Sequence, residues 1–339
     1  MSRIELSART GATVSLMEDF LPDGAPVAVV VIKQRYVVEG RALGAVPGAE
    51  IRRVDVPWDE DAPGSPRLPS DVALAKPGTD VVVSGYAVAR DEAPTASLDV
   101  FVEVGPVARA LRVTGTRVWY ESLGAMRLTP PEPFTRVPLS WELAWGGRES
   151  DPVSGRYAED ARNPYGRGVH IDSRSLKHRP GPQIEDPADP VIDARAGATP
   201  AGVAATTPLM RHRRAYAGTM DARWERERMP LRPSDFDLRF YQCAAPGLAT
   251  EAPLAGGERV RMMNLSPDGP MEFELPRTSF AVWGRADAGR VAYRAPMDTV
   301  LLLPSERAVE VVWRARVPIP PGAMGRLRAV QVVEREVIR

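Results

Sequence analysis

Apolar and polar residues alternate one by one along several stretches of this 339-residue chain. Successive side chains of a β-strand point to opposite faces, so this alternation gives each stretch one apolar and one polar face. Leu98 to Val104 shows the pattern, and Leu111 to Val113 resumes it after Gly105-Pro106, which predicts a hairpin. Val309 to Val317 shows it again, and the apolar run Val300 to Leu303 precedes it. These two runs predict a second strand pair.

Turn residues and continuous apolar runs indicate further strands. Met271 to Leu275 alternates after Ser266-Pro267-Asp268-Gly269, where proline presets φ and glycine accepts positive φ, so we expect a hairpin with Arg259 to Leu265. Val27 to Ile32 and Val81 to Val83 are apolar throughout, which is typical of central strands covered on both faces. The sequence has no amphipathic stretch of about 11 to 18 residues, which argues against a helical bundle or an alternating α/β chain.

The fold predicted from these patterns is mainly β. We expect antiparallel sheets that form a sandwich-like core from both ends of the chain, with a loop-rich middle that carries one or two short helices. A single domain is predicted over residues 1–317, strand-rich at 20–140 and 255–317 and loop-rich at 141–254. The Pro- and Gly-rich sequence that follows predicts that residues 318–339 form a C-terminal tail or an added strand.

One short helix is predicted in the middle of the chain, from Ala222 to Met229. Asp221 can cap its first turn, Arg223 and Glu227 are four residues apart, and Pro230 stops it.

The charge balance excludes one class of partner. The chain has 44 basic and 44 acidic residues and a formal net charge of zero, so bulk charge does not attract it to nucleic acid or to an anionic membrane, and we expect neither partner. The longest purely apolar run, Val27 to Ile32, is too short to span a bilayer. Cys243 is the only cysteine, which rules out an intramolecular disulfide and makes a reducing compartment the default. We expect a cytoplasmic protein.

Metal ligands are few and badly spaced for a site. The nitrogen and sulfur candidates His170, His178, His212 and Cys243 are 8, 34 and 31 residues apart, which matches no common ligand pair. Asp235-Phe236-Asp237 has the spacing of an acidic metal-binding pair, but a turn whose carboxylates bind backbone amides is the preferred interpretation. We predict no metal.

Other catalytic signatures are also missing from the sequence. It contains no G-x-S-x-G elbow and no phosphate-binding glycine loop, and Cys243 is expected to be a small core residue. No cofactor is predicted. Paired carboxylates of the glycosidase type leave no signature in a sequence, so a carboxylate-dependent hydrolase on a β-sandwich stays open.

The one local charge imbalance lies between Arg211 and Arg232, where seven arginines face Asp221, Glu225 and Glu227, with Tyr216 and Trp224 between them. Such a segment can bind an acidic partner or nucleic acid. A solvated helix face with internal ion pairs is the interpretation preferred over nucleic-acid binding.

Several unusual strings occur in a fixed order from about residue 20 to 315. The strings are Ser70-Asp71-Val72, Lys76-Pro77-Gly78-Thr79-Asp80-Val81, Arg117-Val118-Trp119, Pro133-Phe134-Thr135-Arg136-Val137-Pro138-Leu139, Ala144-Trp145-Gly146-Gly147, Asn163-Pro164-Tyr165-Gly166-Arg167-Gly168, Gln183-Ile184-Glu185, Pro200-Ala201-Gly202, Gly218-Thr219-Met220-Asp221-Ala222-Arg223-Trp224, Pro230-Leu231-Arg232-Pro233-Ser234-Asp235-Phe236-Asp237, Ala245-Pro246, Gly257-Glu258, Asn264-Leu265 with Pro267-Asp268-Gly269, and Phe273-Glu274-Leu275-Pro276. In this order they resemble the motifs of the domain of unknown function 2169 family. Individually each motif is weak, and their specificity comes from their order. The sequence departs from the family pattern at Trp145, where phenylalanine is usual, and at Gln183, where asparagine is usual.

The resemblance implies a function. Members of this family look like cytoplasmic adaptors or chaperones of bacterial type VI secretion, encoded beside toxic effectors. Such a protein holds its effector and helps load it onto the spike, which consists of a valine-glycine repeat protein and its proline-alanine-alanine-arginine repeat tip. An adaptor of this kind needs no catalytic residues.

From the residues we predict that Arg223, Trp224, Arg226, Asp235 and Phe236 contribute to a client-binding face, because Trp and Arg are common interface anchors. An added client strand at a sheet edge is a possible binding mode. The alternative interpretation makes Trp224 and Phe236 core residues that support long loops. Two other functions stay open at this point: the hydrolase, and a structural component of a contractile injection machine.

Overall fold

The computed structural model describes residues 4–61, 64–287, 289–319 and 326–336. Within these ranges the chain forms two short α-helices and many strands. The helices are α1 Arg211–Arg214 and α2 Ala222–Glu227, and one-turn 3-10 helices lie at Arg90–Glu92, Trp141–Leu143, Ser173–Leu176, Leu238–Tyr241 and Pro304–Glu306. The strands are β1 Glu5–Arg9, β2 Thr13–Phe20, β3 Pro26–Glu39, β4 Ala42–Val46, β5 Val56–Pro57, β6 Pro66–Leu68, β7 Asp80–Val83, β8 Tyr86–Val88, β9 Ser97–Val104, β10 Val107–Thr114, β11 Trp119–Ser122, β12 Ala125–Leu128, β13 Arg136–Pro138, β14 Trp145–Gly146, β15 Arg148–Ser150, β16 Tyr157–Glu159, β17 Arg167–Gly168, β18 Ile184–Glu185, β19 Arg259–Met263, β20 Met271–Glu274, β21 Thr278–Ala286, β22 Gly289–Ala295, β23 Met297–Leu303, β24 Ala308–Pro318 and β25 Leu327–Glu336.

Three sheets carry most of the strands. Sheet A has the order β1-β25-β21-β22, sheet B the order β2-β3-β24-β23-β7 with β4 also paired to β3, and sheet C the order β18-β10-β9-β19-β20. Their strands pair antiparallel, except that β1 with β25 and β7 with β23 are parallel. The predicted mainly β fold with antiparallel sheets is confirmed.

One apolar core joins the three sheets. Val30 of sheet B, Val332 of sheet A and Val102 of sheet C belong to the same buried cluster. The rings of Phe280 in sheet A and Trp313 in sheet B meet edge to face, with centroids 4.9 Å apart. Sheet A therefore packs on sheet B as the second layer of a sandwich.

The opposite face of sheet B is also covered. Val27, Val29 and Val31 of β3 point away from the main core and pack with Leu238 and Tyr241, which belong to the middle of the chain. A strand covered on both faces must be apolar at successive positions, which explains the uninterrupted run in β3.

The predicted hairpins are confirmed. β9 pairs with β10, β23 with β24, and β19 with β20, each antiparallel. The third hairpin begins to turn earlier than predicted, because β19 ends at Met263 and Asn264 has a φ of 59°. Asn tolerates this left-handed conformation better than most residues, and it interrupts the ladder before Leu265.

Two strand predictions need correction. The strand predicted from the apolar run Val27 to Ile32 is longer than that run, because β3 continues through Lys33 to Glu39. It does so because the Lys33 ammonium lies 2.8 Å from Asp71 and 3.0 Å from Glu310, so its charge is paired although the side chain is fully buried. Val81 to Val83 was expected in a central strand, but β7 is the last strand of sheet B.

Loops, not a neighbouring strand, cover the outer edge of β7. The amides of Val81 and Val83 donate to the carbonyls of Leu248 and Val203, each at 2.9 Å. The edge is paired and buried, so its sequence resembles that of a central strand.

The middle of the chain is ordered around short elements, from 3-10 helix Trp141–Leu143 to the 3-10 helix at Leu238–Tyr241. The helix predicted from Ala222 to Met229 is present as α2 and ends two residues earlier, at Glu227.

The ends of the chain meet in sheet A, where β1 pairs with β25. Of the predicted tail or added strand at 318–339, the described part from Leu327 to Glu336 is this strand, while 320–325 and 337–339 lie outside the described residues. The division into one domain and a tail stays a prediction.

Candidate protein-binding surface

Helix α2 is short and is held at both ends. The Asp221 carboxylate accepts a hydrogen bond from the Trp224 amide at 2.8 Å and caps the first turn. The Trp224 indole Nε1 donates to the Leu231 carbonyl at 2.9 Å, which folds the segment after the helix back beneath it. On the outer side, Arg223 donates to Glu227 at 3.0 Å. This exposed pair is the internal ion pair that the spacing predicted.

Asp235 closes the loop that carries α2. Its carboxylate accepts hydrogen bonds from the Thr219 amide at 2.9 Å and from the Thr219 hydroxyl at 2.7 Å. Gly218 has a φ of 78°, and a Cβ at this position would lie 2.7 Å from Pro233 and 2.8 Å from Asp235. Glycine is therefore required for residues 218 and 235 to approach this closely.

These contacts enclose a groove of about 690 Å³ on one side of α2. Three of the five predicted site residues, Arg223, Trp224 and Asp235, line it. The groove carries charges of both signs, because Asp221, Glu227 and Arg228 also line it. We call Thr219 to Asp235, with the groove and α2, the α2 surface.

The other two predicted residues lie elsewhere. Arg226 is exposed on α2 and does not line the groove. Phe236 is half-buried and packs edge to face against Phe240 at 5.4 Å and Tyr241 at 5.5 Å. Its position agrees with the alternative interpretation, in which it supports the loop from inside.

The acidic triplet of the sequence forms a turn, as the preferred interpretation predicted. Asp235 binds the amide of Thr219, and Asp237 accepts from the Arg239 amide at 2.8 Å as the cap of a 3-10 helix. The hydrogen bonds from the amide and the hydroxyl of Thr219 hold the pKa of the Asp235 carboxyl below its ordinary value. For Asp237 the Arg239 guanidinium lowers the pKa most, and the Arg239 amide lowers it further.

Two exposed methionines, which the sequence analysis did not single out, flank helix α2. Met220 is 60% exposed before the helix and Met229 is 62% exposed after it. Flexible, polarizable Met side chains are common at protein-binding surfaces. No sequence pattern distinguishes an exposed Met from a buried one, so packing had to be known first.

The arginines between Arg211 and Arg232 fall into two groups. Arg213 is buried and donates to the carbonyls of Phe240 and Thr206, and Arg228 donates to the carbonyls of Arg232 and Pro22. These two guanidinium groups bind backbone carbonyls and so stabilise the loops of the middle segment. The other group, which includes Arg223 and Arg226, is exposed to solvent, and within it Arg223 is paired with Glu227.

A buried polar cluster around Lys76 has the residue types of a catalytic site. The Lys76 ammonium lies 2.7 Å from Asp80 Oδ2, 2.8 Å from Thr299 Oγ1 and 3.7 Å from Cys243 Sγ. Burial raises the pKa of the Cys243 thiol to about 12, and the ammonium of Lys76 only partly offsets this. The thiol is therefore protonated at neutral pH and is a poor nucleophile.

The Lys76 cluster is instead part of the fold. Asp80 also accepts from the amide of Cys243 at 2.7 Å, and Thr299 donates to Asp298 at 2.9 Å. These bonds join β7, β23 and the middle segment, so Cys243 is a core residue, as predicted.

We next consider whether the described histidines and carboxylates form a metal-binding or catalytic site. No group of three or more His, Cys, Asp or Glu side chains that could hold a metal occurs in the described ranges. Burial, with the neighbouring Arg213 charge, lowers the pKa of His212 to about 4, so this ring is neutral at pH 7. Among the described Asp and Glu residues, each carboxyl pKa that departs clearly from its ordinary value is lowered. A glycosidase acid needs a raised carboxyl pKa, so these shifts give the hydrolase no support.

In the part of the chain that the structure describes, no helix is both long enough and apolar enough to cross a membrane.

Comparison with curated proteins and with solved structures gives no match. A family described as uncharacterized proteins conserved in bacteria (DUF2169) matches residues 23–314. The matched range contains β3, the α2 surface and most of the three sheets. Because the match spans most of the chain, the protein belongs to the DUF2169 family.

Proposed function

We propose that this protein is a non-enzymatic cytoplasmic adaptor or chaperone of bacterial type VI secretion. It binds an effector protein encoded nearby and helps load it onto the spike, formed by the valine-glycine repeat protein and its proline-alanine-alanine-arginine repeat tip. The resemblance of the sequence motifs implies this role.

The observation that carries the proposal is the α2 surface. It offers an exposed methionine on each side of helix α2, the Arg223 side chain, which is 78% exposed, and a groove with charges of both signs. Apolar anchors within a charged, polar surround are typical of surfaces that bind other proteins. The loop beneath is fixed by Asp235, Trp224 and Phe236, so binding costs little ordering of the backbone.

The absence of enzymatic activity is supported by the chemistry of the Lys76 cluster. Its thiol is protonated, its ammonium is paired with Asp80, and both are buried. The same groups fill the space between strands, which is sufficient reason for their presence.

Coexpression with the products of neighbouring genes tests the proposal. We expect one product to copurify with the wild-type chain, and the double variant Arg223→Ala/Arg226→Ala to weaken the complex at least about tenfold, as loss of interface anchors does. Arg90→Ala is the control, because Arg90 is similarly exposed and lies on a different element, the 3-10 helix Arg90–Glu92.

Failure of every neighbouring product to form a complex would overturn the adaptor role. Release of the protein from the cell together with the spike would identify a structural component of the injection machine instead.

A further inference from the structure

The sandwich is open along one side, where its first two strands separate. β1 and β2 are joined by only Thr10, Gly11 and Ala12, yet β1 pairs with β25 in sheet A and β2 pairs with β3 in sheet B. Each is the last strand of its sheet among the described residues. Two free strand edges therefore border the same opening.

A groove of about 840 Å³ lies between these edges. Val14, Ser15 and Leu16 of β2 line it in succession, and so do Glu5 and Leu6 of β1 with the preceding Ile4. Successive side chains of a strand point to opposite faces, so successive residues can line one groove only along the backbone edge of the strand. The groove is bordered by Ile4, Glu5, Leu6, Val14, Ser15, Leu16, Glu18 and Arg53.

The inward side chains at this opening are apolar and incompletely covered. Val14 and Leu16 lie opposite Ile32 and Val30 of β3 and pack at the margin of the main core, where Ile4 also packs. Leu6 remains 37% exposed. A further layer of side chains would complete the core at this side.

Apart from the charges of Glu18 and Asp19, β2 lacks the usual protections of an edge strand. Its eight residues, Thr13 to Phe20, contain no Pro and no Lys, and their pairing with β3 runs without a bulge. Proteins commonly use such devices to prevent an edge from pairing with another chain. An eight-residue edge without Pro, Lys or a bulge is suited to pairing.

We infer that β2 binds an extended segment of the client protein as an added antiparallel or parallel strand, with apolar client residues facing Val14 and Leu16. This inference rests on the proposed function, because it takes the occupant to be the client. A strand residue fills about 3.3 Å along the strand, about 4.8 Å across the sheet and about 10 Å between sheets, so the groove holds about five residues.

Charge favours a client segment over a second copy of this chain. Glu5 and Glu18 border the groove together with Arg53, and the Glu5 carboxylate also lies 4.0 Å from the Arg285 guanidinium. A second β2 would bring another Glu18, and no basic residue of its own strand, beside the first Glu18, whereas a client segment with a lysine or arginine complements this carboxylate.

Arg232 also joins the end of β2 to the α2 surface. β2 ends at Asp19 and Phe20, and Arg232, which follows α2, donates to both. A client held at the α2 surface thus has the free edge of β2 beside it.

Hydrogen exchange of the β2 amides tests the inference in two arms. The first uses the complex obtained by coexpression, in which we expect amides within residues 13–20 to exchange at least about tenfold more slowly than in the free chain. A complex that leaves these amides unchanged would refute strand addition while leaving the adaptor role intact.

The second arm does not depend on a client. Its probe is a synthetic ten-residue peptide of alternating valine and threonine with a lysine at each end, and its control is the same peptide with an N-methylated backbone. We expect the first peptide to slow exchange of the β2 amides and the second, which cannot donate hydrogen bonds, to have no effect. Slowing by neither peptide, or by both equally, would overturn the inference.

A charge variant adds specificity to the second arm. Glu18→Lys should weaken binding of the lysine-bearing peptide at least about threefold, and Glu121→Lys, also exposed but on β11, should not. Protection in the free chain that grows with its own concentration would instead identify a second copy as the occupant and would overturn the choice of a client.

Discussion

Arg232 donates hydrogen bonds to the Asp19 carboxylate from both terminal nitrogens, from Nη1 to Oδ1 at 3.0 Å and from Nη2 to Oδ2 at 2.7 Å. The same guanidinium donates through Nη1 to the Phe20 carbonyl at 2.7 Å and through Nε to the Tyr241 hydroxyl at 2.8 Å. The two residues are 213 positions apart and join the segment after α2 to the end of edge strand β2. The two surfaces proposed to bind a client are therefore parts of one connected region.

This contact predicts a loss of stability on truncation. Arg232→Ala should lower the free energy of unfolding by about 2 kcal/mol, because it removes charge-assisted hydrogen bonds from a half-buried site. Arg232→Lys should lose less, since it keeps the charge but not the fork. Urea denaturation measures both.

Arg223→Ala is the matched control for this prediction. Its ion pair with Glu227 is exposed, so it should change stability by no more than about 0.5 kcal/mol. Equal effects of the two alanine variants would contradict the role assigned to Arg232.

The buried charges at Lys33 predict an acid-sensitive core. Burial by itself would raise the pKa of Glu310, but the Lys33 charge and the hydrogen bond from Arg52 outweigh it and hold the pKa below 4.5. A carboxyl with a lowered folded-state pKa contributes stability that is present above its unfolded pKa and is lost as the pH falls through the folded value. Stability should therefore fall below about pH 4.5.

Glu310→Gln tests this in denaturation experiments over a pH series. It should cost about 3 to 5 kcal/mol at pH 7, because Lys33 remains buried without its full counter-charge, and it should flatten the acid limb. Glu306→Gln, which removes an exposed partner of Arg35, should preserve the wild-type pH profile. An unchanged acid limb in Glu310→Gln would show that other groups cause the loss.

Local patterns were sufficient to predict the hairpins and the mainly β class. The alternation of Leu98 to Val104 depends only on one covered face, and a turn follows it directly in the sequence. The capped helix α2 was predictable for the same reason, since its cap and its stop lie within ten residues.

Positions that depend on distant partners were not predictable. β3 continues through Lys33 because Asp71 and Glu310 pair with it across the fold, and β7 is an edge strand because Leu248 and Val203 occupy the place of a neighbour. The groove at β2 arises because β1 and β2 enter different sheets, which neither strand's own sequence records.

The candidate site shows the same division. Arg223, Trp224 and Asp235 line one groove, because they belong to one capped helix and its closing turn, while their part in a client-binding face stays a prediction. Whether Phe236 faces the solvent or the loop interior is decided by Phe240 and Tyr241.

His212 predicts a second pH dependence, at higher pH than Glu310. Burial and the Arg213 charge lower its folded-state pKa to about 4, against 6.5 for the free side chain. A histidine held neutral contributes stability that is present above pH 6.5 and is lost as the pH falls toward the folded value. The slope is at most about 1.4 kcal/mol per pH unit, and partial exposure of the ring reduces it.

Proton NMR of the His212 ring measures the pKa directly, and His212→Gln should remove the stability slope between about pH 6.5 and 4. A ring that titrates at 6.5 or above would contradict the burial effect.

Cys243 predicts an unreactive thiol in the folded protein. Its pKa of about 12 reduces the thiolate fraction at pH 8 by about three orders of magnitude relative to an ordinary cysteine, and burial blocks access. A disulfide reagent such as DTNB should therefore label Cys243 only after unfolding. Ser234→Cys, on the exposed rim of the α2 groove, should react at once. This new thiol would be the only reactive one, so crosslinking through it can locate the client. Rapid labelling of the wild-type chain would contradict the assignment of Cys243 to the core.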